Sequence, residues 1–141
     1  MFERLVNSPV TQALELTARF AETQHRALAE NVANIDTPGH PARQLDSDAF
    51  RKSLREAFAR AGEGELALQS DDQTEVDAEG RVDFRPTHDV PSHVTFHDGT
   101  HANVERLMGE VSENALRYET ATTLLKSRFD SMLTAIRGRT Q

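Results

Sequence analysis

No cysteine and no tryptophan occurs in the 141 residues, and only 6% of them are aromatic. Without thiols, disulfides, thiol catalysis and cysteine metal sites are all excluded, although the compartment stays open. So few aromatics make a large globular core hard to build, and helix seams shared with partners would supply the missing burial. Mean hydropathy is -0.60, and no apolar run approaches the length of a membrane span. No basic excess exists either: the formal net charge of -7 argues against nucleic acid, because phosphate neutralisation needs a basic face. Met1-Phe2-Glu3-Arg4 lacks a basic region followed by an apolar core, so no cleaved secretory signal is expected. No serine stands in a Gly-x-Ser-x-Gly turn, and no glycine-rich phosphate loop occurs. Carboxylates are many, but none lies in an apolar segment where burial would raise its pKa for acid catalysis. Neither an enzyme nor a cofactor is expected.

What the chain does contain is a long repeat in its last third. Val104, Val111, Tyr118, Leu125 and Met132 form one series at seven-residue spacing. Met108, Ala115, Thr122, Phe129 and Ile136 form a second, offset by four. Such a pattern is buried only by a long helix laid against other helices. At 1.5 Å per residue, a helix from Asn103 to Arg137 reaches roughly 50 Å. A rod of that length suits assembly better than catalysis.

The other end repeats the theme more loosely. Asn7 or Ser8 followed by Pro9 starts a helix, since a side-chain oxygen caps free amides and proline suits the first turn. Val10, Leu14, Thr17, Ala21, Leu28 and Ile35 then keep the seven-residue spacing, Leu16 and Phe20 widen the stripe, and Gln24 and His25 interrupt it. The helix is expected to stop near Asn34, because Thr37-Pro38-Gly39 cannot continue it: proline removes a donor and glycine accepts the positive φ of a type II turn.

Between the ends the patterning changes. A short helix is expected from Asp48 to Ala61, capped by Ser47 and ended by Gly62, with Phe50, Leu54 and Phe58 a turn apart on one face. An acidic stretch follows and reads as a solvated surface; within it Val76 and Ala78 lead to Glu79-Gly80, with Val82 and Phe84 beyond, the mark of a small β-hairpin. Pro86 to Ala102 reads as an extended connection. The fold class expected is therefore mainly α: long N- and C-terminal helices paired in a coiled-coil-like bundle, with a short helix, a β-hairpin and loops in the middle. One structural domain divides into an N-terminal helix (1–35), a variable middle (36–102) and a C-terminal helix (103–141). His93, His97 and His101 are spaced by four, as three helical metal ligands would be, but Pro91, Gly99 and the alternation of Val94 and Phe96 argue against a helix there, so no metal is expected.

One segment is more specific than any of these. Asn31-Val32-Ala33-Asn34-Ile35-Asp36-Thr37-Pro38-Gly39 resembles the N-terminal signature of the flagellar axial proteins, the rod and hook subunits of the bacterial flagellum. Asn31, Ala33, Asn34, Thr37, Pro38 and Gly39 carry the likeness; His40 departs from the aromatic residue that usually follows. Asn103-Val104-Glu105, Glu113 to Tyr118 and Leu124-Leu125 resemble the proximal rod branch of that family. The resemblance covers both ends, roughly Phe2 to Leu54 and Asp98 to Ile136.

The resemblance implies a structural subunit of the basal body rod, in the periplasmic space, needed for motility. It implies export by the flagellar type III apparatus without a cleaved signal, and terminal helices that order as subunits pack helically. Its implied partners are copies of itself, other rod proteins and the export gate, with no nucleic acid and no membrane span. The assembly seam would comprise Val10, Leu14, Leu28, Val104, Met108, Val111, Tyr118, Leu125, Phe129, Met132 and Ile136. Early axial substrates carry a Phe-x-x-x-apolar element read by the gate, and Phe50 to Leu54 fits it in spacing and place; Phe2 to Val6 fits the spacing alone. A cytoplasmic coiled-coil adaptor or regulatory dimer, or another short rod protein of the same family, would share much of this patterning. A dimer would be helical at micromolar dilution.

Overall fold

The computed structural model describes residues 8–62, 64–87 and 100–138. Its first helix, α1, spans Pro9–Ala33. Ser8 caps it, its Oγ accepting from the Thr11 amide at 3.3 Å, and Pro9 fills the first position, where no amide partner is needed. Asn34 ends it, its amide donating to the Glu30 carbonyl at 3.1 Å. The chain then turns through Thr37 to His40, whose amide donates to the Thr37 carbonyl at 3.3 Å. Gly39 sits at φ +76°, so the turn is type II with Pro38 at its first corner.

Helix α2 spans Ser47–Ala61. Its cap is Asp46, one residue before the serine expected: Asp46 Oδ1 accepts from the Asp48 and Ala49 amides at 2.9 and 3.0 Å. A carboxylate at the positive end of a helix dipole is the stronger acceptor. The Ser47 hydroxyl is taken instead by Arg117 Nη1 at 2.8 Å. The inner face of α2 also differs from the expected one. Phe50 and Ala57 are buried with Leu54 packed beside them, whereas Phe58 is 37% exposed. At 100° per residue the seventh position returns to the Phe50 face and the eighth leaves it.

Strands β1 (Thr74–Val76) and β2 (Val82–Phe84) pair antiparallel, Val76 opposite Val82 and Thr74 opposite Phe84. The first strand stops before Ala78 because Asp77 starts the turn. Its Oδ1 accepts from the Glu79 and Arg81 amides at 3.0 and 2.8 Å, and Gly80 takes φ +79°. These amides and the Arg81 guanidinium hold the Asp77 carboxyl below the usual aspartate range.

Three rings from distant parts of the chain make the core. Phe20 of α1 stacks on Phe50 of α2 with centroids 4.2 Å apart, and Phe84 of β2 meets both edge-on at 5.4 and 5.5 Å. Leu45, Leu66, Leu68 and Val82 close the cluster. Although acidic on its outside, the middle of the chain thus supplies most of the buried apolar surface.

The last helix, α3, spans Thr100–Gly138, 39 residues, or about 58 Å at 1.5 Å per residue. It starts three residues before the Asn103 expected, taking in the end of the supposed extended connection. The remainder of that connection lies mostly outside the described residues. α3 runs antiparallel to α1: Asn114 Nδ2 donates to the Ala21 carbonyl at 2.8 Å, and Arg128 Nη2 to Ser8 Oγ at 3.4 Å. Residues 129–138 therefore continue past Ser8, the first residue described.

Candidate assembly surface

α1 is covered on two neighbouring sides. Ala13 and Phe20 face the aromatic cluster, while Ala21 and Leu28, both fully buried, lie on the side of α3. α3 is covered on one side only. Among its described side chains Asn114 and Ala121 are buried, and Leu107, Leu125, Arg128 and Met132 are half-buried around them. The covered face thus follows Leu107, Asn114, Ala121 and Arg128, which stand three residues after the first heptad series.

The seam residues named from the sequence separate accordingly. Val104, Val111, Leu125 and Met132 are half-buried beside the covered face, as is Leu14 of α1. Met108, Tyr118, Phe129 and Ile136 are exposed by 49%, 45%, 41% and 38%, and Val10 by 43%. Leu133, at 49%, joins the same open stripe. At helical spacing these α3 residues fall along one edge of the covered face and run from near its start to its end. Between α1 and α3 lies a groove of about 350 Å³ lined by Leu14, Thr17, Leu116, Ala121 and Leu124. A more polar cleft of about 460 Å³ opens beside the start of α2, where Arg117 pairs with Glu113 at 3.0 Å.

The signature segment joins α1 to the middle. Asn31 reaches past the turn to the backbone of Arg43: its Nδ2 donates to the Arg43 carbonyl at 2.7 Å, and its Oδ1 accepts from the Arg43 amide at 3.0 Å. Asn34 Nδ2 donates to the Glu30 carbonyl at 2.9 Å. Ala33, Thr37, Pro38 and Gly39 are exposed. Further amide side chains, not singled out by pattern, do similar work. Gln24 Oε1 accepts from the Leu45 amide at 2.6 Å, Gln12 Oε1 from Leu66 at 2.7 Å, and Gln73 Oε1 from Asp46 at 2.7 Å. The interruption of the α1 stripe at Gln24 was the visible sign of this. Buried amides in an apolar stripe need partners.

Phe50 is 5% exposed, and Leu54 packs against the same cluster; Phe2 to Val6 lies outside the described residues. His93 and His97 do too, and His101 falls on α3 where its side chain is not described. Among the described residues no three His, Cys, Asp or Glu side chains are grouped to hold a metal, and no helix is long and apolar enough to cross a membrane.

No family model matches the chain. Curated proteins do. It is 31% identical over 133 residues to the flagellar basal body rod protein FlgB of Aeromonas hydrophila, covering 89% of this chain and 88% of that one. The protein of that name from Salmonella typhimurium is 30% identical over 133 residues, covering 90% and 89%. Its counterpart in Bacillus subtilis is 26% identical over 137 residues, covering 93% and 95%.

Proposed function

The chain belongs to the FlgB family of flagellar basal body rod proteins, and on that footing we propose that it is a structural subunit of the proximal rod that assembles helically with copies of itself and with other rod proteins. The observation that carries the reading is the open stripe of Met108, Tyr118, Phe129, Leu133 and Ile136 on α3. From Met108 to Ile136 it runs about 42 Å along the helix, and contiguous apolar surface on that scale marks an interface. A neighbouring subunit covers it in a head-to-tail contact that does not close, so the assembly grows as a tube. Val10, Leu14, Leu28, Val104, Val111, Leu125 and Met132 complete the seam within and between subunits.

The same reading puts the subunit in the periplasmic rod after export by the flagellar type III apparatus, with no cleaved signal. The gate recognises Phe50 and Leu54 before folding hides them. Phe50→Ala combined with Leu54→Ala should accumulate in the cytoplasm at normal total level. Phe20→Ala, which loosens the same core and leaves the element intact, should still reach the periplasm. Equal export of both variants removes the gate element.

The seam is tested by Phe129→Asp. A carboxylate at this open position should leave the thermal midpoint of the isolated subunit nearly unchanged, because exposed substitutions cost within about 0.5 kcal/mol. Incorporation into the rod and motility should be lost, because the charge is buried on packing. Normal motility overturns the reading. So does a purified chain that stays a discrete dimer at every concentration, the behaviour of a coiled-coil adaptor.

A further inference from the structure

We infer that the outward face of α2 is a docking surface for the acidic β-hairpin of a second copy of this chain. The contact is additional to the α3 seam and uses none of its residues. α2 carries four basic side chains, Arg51, Lys52, Arg55 and Arg60, against two acidic ones, Asp48 and Glu56. Phe50 and Ala57 turn inward, so at 100° per residue Arg51, Lys52 and Arg55 share one arc on the opposite side. All three are exposed, and Phe58, also exposed, stands at the edge of that arc beside Arg51. Asp48 partners Arg51 at 3.3 Å. Neither Lys52 nor Arg55 has a salt bridge among the described residues.

The hairpin and its approach carry the reverse excess. From Glu65 to Arg85 seven carboxylates stand against two arginines. Arg81 is committed to Asp77 and Glu79, and Arg85 to Glu75, whereas neither Asp72 nor Asp83 has a salt bridge among the described residues. Asp83 stands directly opposite Glu75 in the ladder, and both are exposed. Like charges so placed repel, and a cation brought against that face turns the repulsion into attraction. The spacings also match. Lys52 and Arg55, three apart on a helix, hold their Cβ atoms about 5–6 Å apart, and residues opposed across antiparallel strands hold theirs about 4.5–5.5 Å apart.

Within one subunit the two surfaces do not satisfy each other: no ion pair joins α2 to the hairpin among the described residues. A second copy presents each of them on a firm support, since Phe50 and Phe84 fix α2 and β2 to one aromatic cluster. Because the two faces differ, the contact is heterologous and repeats head to tail. Exposed ion pairs are weak and screened by salt, so the contact sets the register of neighbours and does not hold them alone.

The test follows self-association by sedimentation at low salt, using the full chain with Phe129→Asp so that the α3 seam does not contribute. Two charge reversals are compared, Lys52→Glu with Arg55→Glu, and Asp72→Lys with Asp83→Lys. Each alone should weaken association about tenfold, because like charges then face each other. An equimolar mixture of the two should form mixed pairs, and the chain with all four changes should associate with itself again. Thermal midpoints should barely move, since the sites are exposed. A Phe129→Asp chain that stays monomeric at millimolar concentration overturns the inference. So does association that neither reversal weakens, or a loss that neither the mixture nor the four-site variant restores. These outcomes are independent of the motility of Phe129→Asp, which decides the α3 seam.

Discussion

α1 and α3 carry the same seven-residue spacing, yet one is wrapped and the other lies open along most of its surface. On α1 the apolar positions meet two partners, the aromatic cluster and α3, so Phe20, Ala21 and Leu28 are all inaccessible. On α3 a more regular set meets one partner, and Met108, Phe129 and Leu133 keep two-fifths or more of their surface in water. Periodicity therefore gives a helix its length and its sides. The neighbours decide which sides are filled.

The difference is sharpest in a pair of truncations. Phe20→Ala removes a ring stacked on Phe50 and should cost about 3–5 kcal/mol, the usual loss for a buried aromatic. Leu125→Ala, at a half-buried position on α3, should cost less in the isolated subunit, because the side chain is smaller and part of it stays in water. Urea midpoints at constant m-value measure both. Equal losses would mean that α3 is packed as firmly as α1.

A smaller effect is expected at the hinge between α1 and the middle. Asn31→Ala deletes both hydrogen bonds to the Arg43 backbone and should destabilise by about 1–2 kcal/mol. Amides following Arg43 and in α2 should lose protection while those of α3 barely change. A loss confined to α3 would place the anchor on the wrong helix.

The smallest effect lies at the exposed hairpin tip. Hydrogen bonds depress the Asp77 pKa below the ordinary aspartate value of 3.8. A group with a lowered folded pKa contributes stability above its unfolded value and loses it as pH falls through the folded one. Asp77→Asn should therefore lower stability slightly at neutral pH, the difference from the unaltered chain shrinking as pH falls below 3.8. A drop at pH 7 as large as that of Asn31→Ala would contradict a tip exposed to solvent.

Much of this architecture could be read from residue order. Ser8-Pro9, Thr37-Pro38-Gly39 and Gly62 are local signals whose chemistry does not depend on the fold, and the helix ends and turns fall at or beside them. Phe20, Phe50 and Phe84 could not be joined that way. They sit in three elements with no shared period, and only packing brings their rings together. The covered face of α3 was hidden for a related reason. Asn114 and Arg128 stand in it, and choosing series by apolar content selects the offset-four set in preference to the one that docks on α1. The backbone bonds made by Gln12 and Gln73 were equally silent, since a glutamine outside an apolar stripe looks the same in sequence whether it faces water or an amide.

Those amide bonds also bear on how freely this chain can vary. Gln12, Gln24, Asn31 and Gln73 grip the main chain at Leu66, Leu45, Arg43 and Asp46, and a peptide group is the same whatever side chain it carries. The middle is therefore held in register by groups blind to its spelling. Substitutions at its outward positions, such as the exposed Arg43 and Glu65, are invisible to the grip that fixes them. A chain built in this manner can rewrite most of the outward face of its middle without renegotiating how that middle hangs on α1.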